Sequence, residues 1–132
     1  VPNMTVKEID SIVEKYIKEE FKKLNSKNSI EVSSLHGGDP WIADINHYNF
    51  KAAHQAIEQI WGVTPDYTRE GGSIPVTLTF QRELDRNVLL LPMGMADDGA
   101  HSTNEKLARR NFIEGICVFA SYLNNFAAIS DE

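Results

Sequence analysis

The apolar positions at the start of the chain repeat with a helical period. Ile9, Val13, Tyr16, Ile17, Phe21 and Leu24 recur at spacings of three and four, while Lys7, Glu14, Lys18 and Lys22 hold the other face. Thr5-Val-Lys-Glu8 has the capping-box pattern, in which the threonine hydroxyl accepts from the Glu8 backbone and the glutamate reaches back to Thr5. A helix is therefore predicted to begin there and to end in the polar cluster Asn25 to Ser29. Ile30 to Leu35 alternates apolar and polar residues, which predicts a half-buried strand broken by His36-Gly-Gly-Asp-Pro40. Phe50, Ala53, Ile57, Ile60 and Trp61 then mark a second amphipathic helix from Asn46 to Trp61, stopped by Gly62 with Pro65 close behind.

The second half of the pattern is less uniform. A short extended piece is predicted around Asp66 to Arg69. Ser73 to Phe80 suits either a strand, through its β-branched alternation, or a helix, through Ser73 and a proline two positions on; a short helix is the preferred reading. Val88 to Met93 predicts a buried strand. Ser102-Thr-Asn-Glu105 is a second capping-box pattern and predicts a last helix running from there to about Asn125. Helices alternating with strands in this order define an α/β protein. Three strands make a narrow sheet, and the Gly-Gly-Asp-Pro break separates residues 1–36 from 37–132. Each portion thus reads as part of something larger.

Composition narrows the functional classes. At 132 residues, 42% hydrophobic and 24% charged, the chain has ample material for a packed core and no compositional case for disorder. A net charge of −6 argues against nucleic acid and anionic membrane surfaces as partners, because both call for a basic face. No stretch reads as long enough to span a membrane. Cys117 is the single cysteine, which excludes an intrachain disulfide, and its apolar neighbours predict a buried thiol.

Three polar, glycine-rich loops follow candidate strands, where ligands of α/β folds collect. They are His36-Gly-Gly-Asp-Pro40, Arg69-Glu-Gly-Gly-Ser73 and Ala96-Asp-Asp-Gly-Ala-His-Ser102. His101 is a candidate metal ligand, but one imidazole is not a site, and taken alone the loop reads first as a turn with solvated acids and a capping serine. Gly71, Gly72 and Ser73 could cradle a carboxylate with backbone N–H groups and a hydroxyl, or simply form a glycine turn that starts a helix. His36 alone reads as a solvent-facing histidine at a strand end. His47 and His54 read as flanking surface residues rather than ligands.

Taken together, His36-Gly-Gly-Asp-Pro-Trp41, Thr68 to Phe80, Ala96 to Ser102 and Asn104-Glu-Lys-Leu107 resemble the C-terminal third of the carnosinase-like, cytosolic nonspecific dipeptidases, and the spacings between the loops agree. The resemblance implies a two-domain subunit whose α/β catalytic domain holds two Zn²⁺ or Mn²⁺ ions, with a lid domain mediating a homodimer. Residues 1–36 would be the end of the lid and residues 37–132 the last part of the catalytic domain. It implies His101 as a ligand to one ion, Gly72 and Ser73 as contacts to the substrate's carboxylate, and Glu70 and His36 as further substrate contacts. The implied activity is hydrolysis of unmodified dipeptides, Cys-Gly among them, by a metal-activated water in the cytoplasm. The general-base glutamate and the other ligands have no counterpart here, so the chain would serve as a fragment partnered by the rest of its own polypeptide. The alternative is a noncatalytic carboxylate-binding or dimerisation module acting alone.

Overall fold

The structure is a computed structural model, described here for residues 3–69 and 74–130. It contains α1 (Val6–Lys23), α2 (Tyr48–Trp61), α3 (Pro75–Leu84) and α4 (Arg109–Ser130). Contacts divide the chain into two units. One joins Val1–Ile42 to Gly72–Glu83, and the other joins Ala43–Gly71 to Leu84–Glu132.

In the first unit α1 starts where the sequence places it. Thr5 Oγ1 accepts from the Glu8 backbone N–H at 3.3 Å, and the Glu8 carboxylate accepts from the Thr5 N–H at 2.7 Å. The Thr5 N–H and the Thr5 hydroxyl, which donates to the same carboxylate oxygen at 2.8 Å, hold the Glu8 carboxyl below its usual range, the backbone donor contributing most. No residue of α1 is buried, and Ile12, Val13 and Tyr16 of its apolar face are exposed. The segment after it turns back on the helix at Gly37, where a Cβ would lie 2.2 Å from Val6 Cγ1, so only glycine allows that approach. It is tied to α3 by the Asp39–Arg82 ion pair at 3.0 Å and by the Trp41 indole N–H donating to Gln81 Oε1 at 2.6 Å.

The second unit is organised by α2 packed on α4. Ala52 and Ala56 present almost no bulk, so the helices approach closely, and Val118 of α4 is fully buried opposite them. Beside this apolar contact lies a polar one. Asn49, 5% exposed, accepts from the Tyr122 hydroxyl and donates through Nδ2 to Asn87 Oδ1 at 3.0 Å and Asn87 O at 3.2 Å. Burial pushes the Tyr122 phenol above its usual range, with Tyr48 adding to the effect. The ring of His47 caps α2 by accepting from the Asn49 N–H at 3.1 Å, and Gly62 closes it in the left-handed conformation with φ 67°. His54 shares a bond with the Tyr67 hydroxyl at 2.9 Å. Both histidines are thus structural flanking residues.

Several expectations are corrected. The predicted strands at 30–35, 66–69 and 88–93 carry no ladder, and the regular elements among the described residues are all helices, so the α/β class is not confirmed there. A strand exists only when a neighbour accepts its backbone hydrogen bonds, and no described segment supplies one. The segment 88–93, read as buried, is half-exposed, and Leu35 is 94% exposed. The final helix starts at Arg109 rather than near Ser102 and runs to Ser130. Its proposed capping box does not form, because Ser102 Oγ donates to Gly99 O instead. Cys117 is exposed, since α4 turns Tyr122 and Asn125 towards α2 and buries Val118, leaving position 117 on another side. By length and composition alone Arg109–Ile129 also reaches what a membrane span requires. It is bonded to α2 through the Tyr122 hydroxyl and through Asn125 Nδ2 to Ala52 O, at 3.4 Å.

Asn49→Ala leaves the Tyr122 hydroxyl and both Asn87 acceptors without their partner. We expect it to lower unfolding free energy by about 1–3 kcal/mol in denaturant titration. An unchanged midpoint would mean that the α2–α4 contact does not depend on this network.

Candidate functional site

The residues with most chemical content in the second unit lie on the arc Gly94 to Lys106. Its entry is fixed by α4. The Asn111 side chain donates to Met93 O at 2.7 Å, and the Met93 thioether lies where any side chain at position 115 would be, since a Cβ on Gly115 would stand 2.0 Å from Sδ. The chain then closes on Asp98. Met95 N–H donates to Asp98 Oδ2 at 2.7 Å, Asp98 N–H donates to Met95 O at 3.1 Å, and Lys106 N–H donates to Asp98 O at 2.9 Å. Asp98 is 8% exposed, while its neighbours on the arc are open to solvent.

His101, the predicted metal ligand, sits within the stretch closed between Asp98 and Lys106. Its backbone has φ 64°, the left-handed region that L-residues other than Asn, Asp and Gly seldom occupy. Gly99 at φ 68° and Asn104 at φ 64° share that region, and the Ser102 N–H donates to Gly99 O at 3.0 Å. The imidazole is exposed and makes no hydrogen bond or ion pair among the described residues. Lys106 Nζ donates to Asp97 Oδ2 at 2.9 Å and lies 3.7 Å from Asp98 Oδ1. The ammonium holds the Asp97 carboxyl below its usual range, and the same hydrogen bond raises Lys106.

An exposed imidazole with both ring nitrogens free, presented by a closed arc, suits one donor of a metal site. It does not suffice. No group of three or more His, Cys, Asp or Glu side chains able to hold an ion occurs among the described residues.

His36 lies in the first unit, exposed at the edge of a shallow cleft of about 270 Å³ bordered by Met4, Asp10 and Pro40. Glu70, Gly72 and Ser73 fall outside the described residues. The helix predicted after them is present, and Pro75 is its first residue, where a missing N–H costs nothing. The sequence reading missed Asp98 as the closure of the arc and Asn111 as its anchor. A tight glycine-bounded run from Gly94 to Gly99 with two acids inside was the available signal, but which acid turns inward depends on packing.

The chain belongs to the peptidase family M20/M25/M40, whose model matches residues 2–125. Among named proteins it is similar to the Cys-Gly metallodipeptidase dug1 of Schizosaccharomyces pombe, with 46% identity over 98% of this chain and 27% of that protein. It is 40% identical to the Beta-Ala-His dipeptidase of Homo sapiens over 98% of this chain and 25% of that one. The solved structure of the dipeptidase Dug1p from Saccharomyces cerevisiae matches with a TM-score of 0.85 and 48% identity, covering 97% of this chain and 27% of that one. The chain thus spans about a quarter of the length of the relatives it matches.

The positive φ at position 101 gives a test that is independent of activity. His101→Gly removes the steric cost of the left-handed conformation, and we expect it to be more stable than His101→Ala by roughly 1 kcal/mol in thermal or denaturant unfolding. Equal stabilities would show that the backbone at this position is not strained.

Proposed function

We propose that this chain is the C-terminal portion of a metal-dependent dipeptidase acting on unmodified dipeptides, with Cys-Gly a candidate substrate. The observation that carries the reading is an imidazole, His101, held on a closed arc without a bond or a donor cluster among the described residues, in a chain of the peptidase family. The extended segments at 30–35 and 88–93 would pair with strands contributed by the rest of the polypeptide, restoring an α/β catalytic domain over residues 37–132. Residues 1–36 would close a lid domain through which subunits form a homodimer, and the protein would work in the cytoplasm.

In this reading His101 would hold, through a ring nitrogen, one of two divalent ions, Zn²⁺ or Mn²⁺, whose chemistry when bound would be Lewis acidity towards water and the scissile carbonyl. This chain's own residues bind and orient. Gly72 and Ser73 hold the substrate carboxylate ahead of α3, whose N-terminus carries partial positive charge. Glu70 and His36 add contacts along the peptide. Capturing the carboxylate at a fixed place limits the substrate to short peptides, because a longer chain would have to continue through the cradle.

Two variants of the protein at its full natural length test the assignments. His101→Ala should lose one ion of the pair by elemental analysis and nearly abolish dipeptide hydrolysis; both ions retained at a normal rate would remove the ligand assignment. Ser73→Ala should leave metal content unchanged and raise KM about tenfold, the cost of one hydrogen bond to a charged group. An unchanged KM would argue that the carboxylate is held elsewhere.

A further inference from the structure

We infer that Asp98 is the positioning residue of the arc that carries His101. This rests on the reading of His101 as a metal ligand and goes beyond it by naming the group that sets the ligand's aim. The imidazole has no hydrogen bond among the described residues, so what fixes its place is the backbone, which sets the Cα position and the Cα–Cβ direction from which the ring starts.

That backbone is closed by three groups of one residue. The Asp98 carboxylate accepts from the Met95 N–H at 2.7 Å, its own N–H donates to Met95 O at 3.1 Å, and its carbonyl accepts from the Lys106 N–H at 2.9 Å. The first two bonds lock the turn 95–98, and the third joins the incoming and outgoing limbs on either side of His101. Only Asp98 is buried on the arc, and the space for its carboxylate is made by a glycine. A Cβ at Gly94 would stand 2.9 Å from Asp98 Oδ2, closer than real contacts allow. Lys106 Nζ, 3.7 Å from the second carboxylate oxygen, offsets part of the charge, but Oδ1 has no hydrogen-bond partner. Asp97 lies beside it and differs in role: it is exposed and bonds only Lys106 Nζ. The arrangement therefore assigns the two adjacent acids separately, Asp98 to the backbone and Asp97 to the lysine.

The test uses the full-length protein, stripped of metal and titrated with Zn²⁺ or Mn²⁺, with His101→Ala as reference. Asp98→Ala should weaken the ion that depends on His101 by about 10- to 100-fold, the range for losing a group that orients a ligand. Gly94→Ala, which displaces the carboxylate without altering it chemically, should reproduce that loss. Asp98→Asn retains an acceptor for the Met95 N–H and should recover most of the affinity, whereas Asp97→Asn should leave it near the parent value. Asp98→Ala binding as the parent does would overturn the inference, as would an asparagine variant no better than alanine or a neutral Gly94→Ala. If Asp98→Ala does not fold, the Gly94 and asparagine variants decide. Should His101→Ala keep both ions, the ligand assignment itself fails and the inference with it. Should His101→Ala lose an ion that Asp98→Ala retains, only the positioning role fails.

Discussion

Close packing of α2 on α4 is the contact from which the rest of the second unit is suspended. Alanines at 52 and 56 admit the fully buried Val118, and Asn49 locks the two helices to the segment at Asn87. The position of α4 then determines where Met93 ends, through Asn111 on its carbonyl and through the bare surface of Gly115 beneath its sulfur. From Met93 the chain has room for little more than one turn before Asp98 closes it. His101 projects from the next. A helix–helix contact made of the smallest side chains thus fixes, over a few bonds, the position of an exposed imidazole.

Local signals were legible in the sequence and non-local ones were not. The first capping box, the glycine stop at Gly62 and the proline start of α3 all appear where the residues place them, because each satisfies backbone groups within three or four positions. The second capping box shows the limit. Ser102 and Glu105 have the right spacing, but a nearer carbonyl at Gly99 captures the serine hydroxyl, and the helix waits until Arg109. Alternation at 30–35 and the apolar run at 88–93 predict strands correctly only if partners exist to receive their hydrogen bonds, and that information lies outside the segments themselves.

The candidate site divides in the same way. His101 could be named from the sequence through its family motif, and its φ of 64° is a conformation that no residue pattern announces. The inward turn of Asp98 was illegible because two adjacent aspartates are chemically equivalent until packing separates them. Glycines at 94 and 99 were visible, yet the reason for the first is a carboxylate four positions away. A residue that closes a loop on backbone groups, as Asp98 does, is harder to read than one in a motif, since its partners are common to every sequence.

The surface of the chain bears on how it functions. It exposes 10631 Å². Two separate compact units sharing its 14.9 kDa would expose only about 8,500 Å² between them, so the excess does not depend on how the units are arranged. Much of it is apolar. Phe112, Ile116, Phe119 and Leu123 form a stripe on α4 beside the face that packs on α2, and Ile12, Val13 and Tyr16 line α1. A helix apolar on two faces belongs between two layers, and here one layer is present. Among the described residues, the apolar surface without cover, the extended segments without a ladder and the imidazole without a donor cluster are three forms of one deficit. In the proposed reading, a longer polypeptide would meet all three, and completing the core would go together with completing the site.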